Sequence, residues 1–295
     1  MNIIKYKKVF LTLSSILVVA SIASVIIWGL PLGIDFTGGS LMEIRFSSEK
    51  LQSDEVNQII QPIVGESLVQ PTGDDGVLIR FRDVNEQTHQ QTLSALKNRV
   101  EITEERFESI GPVVGQEIKE KAVKALIIAI LLIVFYIAWA FRKVSRPVSS
   151  WKYGLVAIVA LIHDILIPTG VVAVMGNFGN IQVDVFFITA LLTILGFSVH
   201  DTIVVFDRIR ENLRLHGGDN FDEVANRSIR EVVSRSINTS LTLLVVLLSV
   251  LFLGGESTKS LVFVLILGVI SGTYSSIFVA SPLLTIWAKG VKNRR

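Results

Sequence analysis

Residues 194–212 read ILGFSVHDTIVVFDRIREN. From Ile194 to Phe206 the run is apolar enough to sit in a membrane, yet it carries His200 and Asp201 side by side, well before Asp207 and Arg208 end it. The pairing recurs in LIHDIL, where His163 and Asp164 lie inside a second apolar run. Two of the chain's four histidines therefore stand next to an aspartate in apolar surroundings. Whether these runs cross a bilayer decides the fold, and what the aspartates do there decides the function.

The bulk composition favours crossing. The chain has 295 residues, half of them hydrophobic, with a mean hydropathy of +0.57. A soluble domain has a similar apolar fraction but intersperses it with polar residues, whereas here the apolar residues come in blocks. A net charge of +2 is too small to imply a nucleic-acid partner. With no cysteine there are no disulfides, thiolate metal sites or thiol nucleophiles.

A helical span needs about 20 mostly apolar residues. Working outward from the quoted stretch, six segments qualify: Val9 to about Leu30, about Ala122 to Phe141, Tyr153 to Met175, Val183 to Phe206, Ile237 to Leu253, and Leu261 to Trp287. The first has a small-x-small site at Ser21 and Ala23, but no charge appears from Val9 to Ile34, which is longer than a cleaved signal's apolar core and predicts a retained anchor. Basic residues cluster after span two (Arg142, Lys143, Arg146, Lys152), after span four (Arg208, Arg210, Arg214, Arg227, Arg230, Arg235) and at the C-terminus. GNFGNIQ, between spans three and four, has none. This asymmetry predicts both termini in the cytoplasm. Trp28, Trp139, Trp151 and Trp287 all fall at span ends, where amphipathic rings prefer to sit.

The expected fold is therefore a mainly α-helical membrane protein with six transmembrane helices and one extracytoplasmic α+β domain. Residues 1–30 hold the N-terminus and first span, 31–121 the domain, and 122–295 the other five spans with a cytoplasmic loop at 207–236 and a basic tail. Within the domain, LMEIRF alternates like a strand and SDEVNQIIQPIV has helical spacing with Ser53 as N-cap. PTGDDG separates SLVQ from VLIRF as a hairpin turn, NEQTHQQTLSALKNRV is a second helix, and RFESIGPVV a last strand. The order β-α-β-β-α-β is ferredoxin-like. In the 207–236 loop, DRIRENLRLH extends span four to a C-cap at Gly217 and Gly218. DNFDEVANRSIREVVSRSI then reads either as an amphipathic helix on the membrane surface or as part of a helical hairpin.

A carboxylate at a span centre costs at least about 2.5–3.5 kcal/mol on insertion scales. A partner, a water path, protonation or a metal must offset that. At about 1.5 Å per residue, Asp164 lies about 16 Å from the cytoplasmic end of span three, and Asp201 about 25 Å along span four. Asp201 is the first candidate for proton coupling, with Ser198 and Thr202 as hydroxyl neighbours, Arg208 on its face and Arg235 as a counter-charge from span five. Asp164 is the second, its role open between proton coupling and pairing with His163; Asn238 is a further supporting polar group. The competing reading of both aspartates is a static hydrogen-bonded packing site. No metal-ligand spacing and no nucleophile motif is present, so neither a metal, a cofactor nor enzymatic catalysis is expected. GIDFTGGS, with Asp35, Gly38 and Gly39, lacks the phosphate-loop pattern and reads as a flexible turn into the first strand. Gly268, Gly272 and Ser276 form a small-xxx-small ladder for close helix packing.

GIDFTGG, SIGPVVG, GFSVHDTIVVFDRIREN, SRSINTSLT and GTYSSIFVASPL, in this order, closely resemble the SecF family of protein-export membrane subunits. The resemblance implies six spans forming half of an RND-like arrangement and an obligate partner, SecD. It also implies work with the SecYEG channel, often with YajC, in the bacterial plasma membrane, and proton-motive force as the drive for drawing out the unfolded polypeptide. It implies Asp201 as the protonatable residue of span four, Arg235 as the basic residue at span five, and Gly38 and Gly39 as the DFTGG motif shared with SecD. The family commonly has Asn where His200 stands; the expectation is that His200 hydrogen-bonds as Asn does. Two other classes stay open. An RND-type small-molecule exporter is disfavoured, because a domain of about 90 residues leaves little room for a pocket of about 300–1,000 Å³. A structural scaffold of the translocase would need no titrating group.

Overall fold

The structure, a computed structural model, describes residues 3–47, 50–140, 150–178, 181–215 and 220–292. Its long helices are α1 (Lys7–Trp28), α5 (Pro112–Ala140), α6 (Ser150–Phe178), α7 (Val185–Leu215), α8 (Phe221–Leu253) and α9 (Glu256–Ser275). A π turn, Ser276–Ala280, joins α9 to α10 (Ser281–Lys292). Six of these segments are long and apolar enough to cross a membrane, the last running through α9, the π turn and α10. Each forms because an apolar block can satisfy its backbone only within itself in lipid. α6 contains Pro168, a residue tolerated inside spans.

The spans differ in how much they bury. Half of the apolar stretch in α6 and in α7 is buried, against 6% in α5. The inner layer is therefore α6, α7 and α9–α10, with Tyr153, Val156, Ala160, Phe206, Ile277 and Leu284 at its core. α1 lies along α6 so closely that a Cβ on Gly170 would come 2.4 Å from that of Ser21.

Between α1 and α5 lies the α+β domain: α2 (Ile34–Thr37), β1 (Gly39–Phe46), α3 (Ser53–Val64), β2 (Ser67–Thr72), β3 (Gly76–Phe81), α4 (Glu86–Lys97) and β4 (Ile102–Ile110). The sheet order is β2-β3-β1-β4, and each neighbouring pair is antiparallel. Alternate residues of β1 and β3 point to one face, so Met42, Ile44, Val77 and Ile79 meet Val56, Ile60 and Leu96 of the two helices. That is the β-α-β-β-α-β arrangement expected. The chain divides into two compact units, one of apolar helices and one of Leu32–Lys124 together with Val183–Val185.

Three local expectations are corrected and one open choice is decided. The N-cap of α3 is Gln52, whose N–H donates to Glu55 Oε2 at 2.9 Å, because the reciprocal bond needs Glu three residues on. The last strand ends at Ile110 and does not take in PVV: α5 begins at Pro112, ahead of the span expected from about Ala122, since proline suits a first helical turn and the polar residues that follow are good helix formers. GIDFTGGS is not a plain flexible turn: Ile34–Thr37 makes one helical turn. Of the two readings of DNFDEVANRSIREVVSRSI, the helical hairpin stands: residues 221–253 form one helix of 33 residues, bonded to α7 through Arg208, Asn212, Ser228 and Glu231, and no separate surface helix precedes span five. The C-cap expected at Gly217 and Gly218 lies outside the described residues.

Candidate functional site: two aspartates and a serine doublet

α6 carries His163 and Asp164 into the interior, where Asp164 is 0% and His163 3% exposed. His163 Nδ1 lies 2.8 Å from Asp164 Oδ1. Asp164 Oδ2 accepts from Ser198 Oγ of α7 at 2.5 Å and from Ser275 Oγ of α9 at 2.7 Å. Pro168 lies four residues on and has no N–H to offer the Asp164 carbonyl, which adds to the polarity of this level. His163 Nε2 is buried without a hydrogen-bond partner among the described residues, and its ring stacks on Tyr274 at 6.1 Å.

α7 carries Asp201, 7% exposed. Its Oδ1 accepts from Ser236 Oγ of α8 at 2.5 Å, and its Oδ2 accepts from Ser276 Oγ at the start of the π turn. Adjacent residues of a helix diverge by about 100°, so Ser275 and Ser276 face different neighbours, and each serves one aspartate. Beside them Ser240 Oγ and Thr273 Oγ1 lie 2.5 Å apart, joining α8 to α9. Charge-assisted hydrogen bonds contribute about 1.5–3 kcal/mol each, so two hydroxyl donors offset a cost of the size expected for a carboxylate in a span.

The small-residue ladder faces this centre. A Cβ on Gly268 would come 2.1 Å from the Ile194 side chain, and one on Gly272 would come 3.3 Å from Ser198 Cβ. Ser276 ends the ladder by binding Asp201.

Other candidates lie elsewhere. His200 is exposed, pointing away from Asp201's pocket, and Asn238 is exposed on α8. Thr202 is buried. Ser198 serves Asp164 and not its own neighbour Asp201. Arg208 pairs with Glu231 and Glu211. Arg235 is exposed, and among the described residues no ion pair joins it to Asp201. The residues that sequence reasoning passed over are Ser236 and Ser275. The available signal was position: Ser236 sits one residue from Arg235, and Ser275 beside the ladder's Ser276.

The motif after α1 is built on close backbone approach. Gly38 has φ 73° and Gly39 φ 129°. A Cβ on Gly38 would come 2.7 Å from Pro112 Cα, and one on Gly39 would come 2.9 Å from the Phe81 carbonyl oxygen. Asp35 Oδ2 accepts from the Val185 N–H at 2.9 Å. Among the described residues no cluster of three metal-ligating side chains occurs.

A family model described as protein export membrane protein SecD/SecF, C-terminal, matches residues 89–290, and the SecD/SecF GG motif matches residues 26–50. The protein translocase subunit SecF of Thermobaculum terrenum is 40% identical across 97% of this chain and 93% of its own length. The chain belongs to the SecF family of protein translocase subunits. The SecF of Anaerolinea thermophila is 38% identical, over 98% and 95% of the two chains. The crystal structure of SecDF from Thermus thermophilus, described as a translocon-associated membrane protein, superposes with a TM-score of 0.87 at 28% identity over 98% of this SecF-family chain. A SecDF structure in a super-membrane-facing form gives 0.72 at 29% identity. The chain spans 39% of the length of either SecDF polypeptide.

Proposed function

We propose that this chain is the SecF half of a SecD–SecF assembly that uses the proton-motive force to promote late steps of preprotein export, with Asp201 taking up and releasing the proton. The observation that carries the reading is the setting of Asp201: a buried carboxylate whose bonded partners are the hydroxyls of Ser236 and Ser276. A fixed cation would hold the carboxylate ionised. A hydroxyl both donates and accepts, so it serves a carboxylate and, by rotating, a carboxylic acid. Such a site tolerates a change of protonation without losing its bonds. Asp164 is a second candidate, with the hydroxyls of Ser198 and Ser275 on one oxygen and His163 on the other, and Arg235 stands one residue from Ser236 as the nearest basic residue in sequence. The better fit to one SecDF form than to the other, 0.87 against 0.72, supports a fold that takes more than one arrangement.

By the distribution of Lys and Arg, both termini face the cytoplasm of a bacterial plasma membrane and the α+β domain faces outward. Partners on this reading are SecD, the SecYEG channel, often YajC, and the unfolded polypeptide in transit. No covalent chemistry is involved, so the chain works as a transducer and not an enzyme.

The test is Asp201→Asn in membranes that hold the assembled complex. The proton-gradient-dependent part of export is expected to disappear while the gradient-independent part persists. A mutant that exports fully under a proton gradient sinks the proposal. A second reading has its own support, because every oxygen of Asp164 and Asp201 has a donor, as a static packing site requires. It prevails if Asp201→Asn and Asp164→Asn both export normally while deletion of the chain does not.

A further inference from the structure

The GG motif has a second set of contacts that the proton site does not use. Leu32 and Val183 form a parallel bridge, Gly33 N–H donates to the Val183 carbonyl at 2.8 Å, and Asp35 takes the Val185 N–H, the first of α7. A backbone bridge and a side-chain cap thus fall within the four residues Leu32 to Asp35, and both reach a segment about 150 positions away in sequence. The same motif seats the head of α5, where only glycine at position 38 leaves room for Pro112, and only glycine at 115 leaves room for the Gly38 nitrogen, 2.8 Å from a would-be Cβ. Val183–Val185 accordingly groups with the α+β unit and not with the helices that follow it.

The first N–H groups of a helix have no partner within it, and a carboxylate there satisfies the N–H and complements the helix dipole. Such a cap normally comes from the residue before the helix; here one of the caps comes from another part of the chain. We propose that Asp35 is a positioning residue: it fixes the head of α7, the helix that carries Asp201, to the α+β domain. Val185, which Asp35 holds, and Asp201 are about 24 Å apart along α7 at 1.5 Å per residue. A helix is stiff over that length, so a shift of α7 at Asp201 is delivered to the motif, and a shift of the motif to Asp201. The role assigned to the glycines follows: they permit the close seating that makes the joint rigid. The inference rests on the proton-coupling reading of Asp201, and its test separates the two.

The experiment uses the SecD–SecF complex in membranes and reads amide exchange in the first turn of α7 beside proton-driven export. Asp35→Ala is expected to speed exchange there about fivefold or more, as loss of a cap does, and to reduce proton-driven export. Asp35→Asn keeps an oxygen where Oδ2 lies, can accept the same bond, and should leave both near the unsubstituted level. Overturning results are an Asn variant as defective as Ala, unchanged exchange in Asp35→Ala, or a loosened helix head with undiminished export. If Asp35→Ala does not accumulate, Leu32→Cys with Val183→Cys decides, in a chain that has no other cysteine. Oxidation should leave export intact if the joint is permanent, and reversible loss on oxidation shows that it opens and refutes the strut. Normal export by Asp201→Asn would instead strike the proton reading while the exchange result stands.

Discussion

Ser275 and Ser276 are neighbours that serve different masters, and single substitutions should separate them. Removing a donor from a buried carboxylate costs about 1–3 kcal/mol. Ser276→Ala should therefore lower the thermal stability of the purified complex and, on the proposed proton-coupled function, impair export as Asp201→Asn does. Ser275→Ala should follow the phenotype of Asp164→Asn; identical pH profiles for both serine variants would contradict two separate sites. Gly268→Ala tests the approach of α9 to α7. The added methyl must displace Ile194, a form of overpacking that costs about 1–3 kcal/mol, read as a fall in Tm. The aspartates were legible in the sequence because charge in an apolar run is expensive and rare. Their partners were not, because a serine in a span satisfies itself on the carbonyl four residues back, as Ser240 does on Ser236. Nothing in its type announces which serine also donates across the bundle.

Between elements, α7 and α8 are braced past the apolar level. Arg208 Nε donates to Glu231 Oε2 at 2.6 Å and Asn212 Nδ2 to the same oxygen at 2.7 Å, while Asn212 also reaches Ser228 at 3.0 Å. Arg208 and Glu231 are each about one-third exposed, so solvent screens the pair. A double-mutant cycle should give a coupling of about 0.2–1 kcal/mol that shrinks in high salt; a larger, salt-insensitive coupling would mean the pair is buried in the working complex. The sequence placed all six spans because length and apolarity are local properties. It missed the unity of α8 because polarity changes at about Ile237 while helix-forming tendency does not. No glycine or proline interrupts Phe221–Leu253, so one helix leaves the bilayer and simply continues.

At the scale of the whole molecule, the α+β domain has its own core and should respond to acid on its own terms. His89 is buried between Glu86 and Glu104, 2.6 Å from the latter, and stacks on Phe107 at 3.7 Å. Hydrogen bonds from Gln90 and then His89 hold Glu86 below the usual glutamate value of 4.5. A depressed carboxylate stabilises the fold above its unfolded pKa and loses that contribution as pH falls through the folded one. The first turn of α4 should accordingly loosen below about pH 4.5, seen as faster amide exchange, and Glu86→Gln should flatten that dependence. The domain's topology was readable because strand alternation and the PTGDDG turn are local signals. The seating of Gly38 against Pro112 was not, since it joins residues far apart in sequence. The π turn at Ser276–Ala280 carries a last consequence. An inserted residue is a phase shift: everything after it is rotated by about 100° relative to an unbroken helix. The face that α9 shows to α7 is thus not the face α10 inherits, and Lys7 Nζ meets Thr285 Oγ1 at 3.0 Å only in this phase. Deleting one residue from the turn would leave α9's side chains in place and turn α10 like a key, so the turn sets how two halves of one span are clocked against each other.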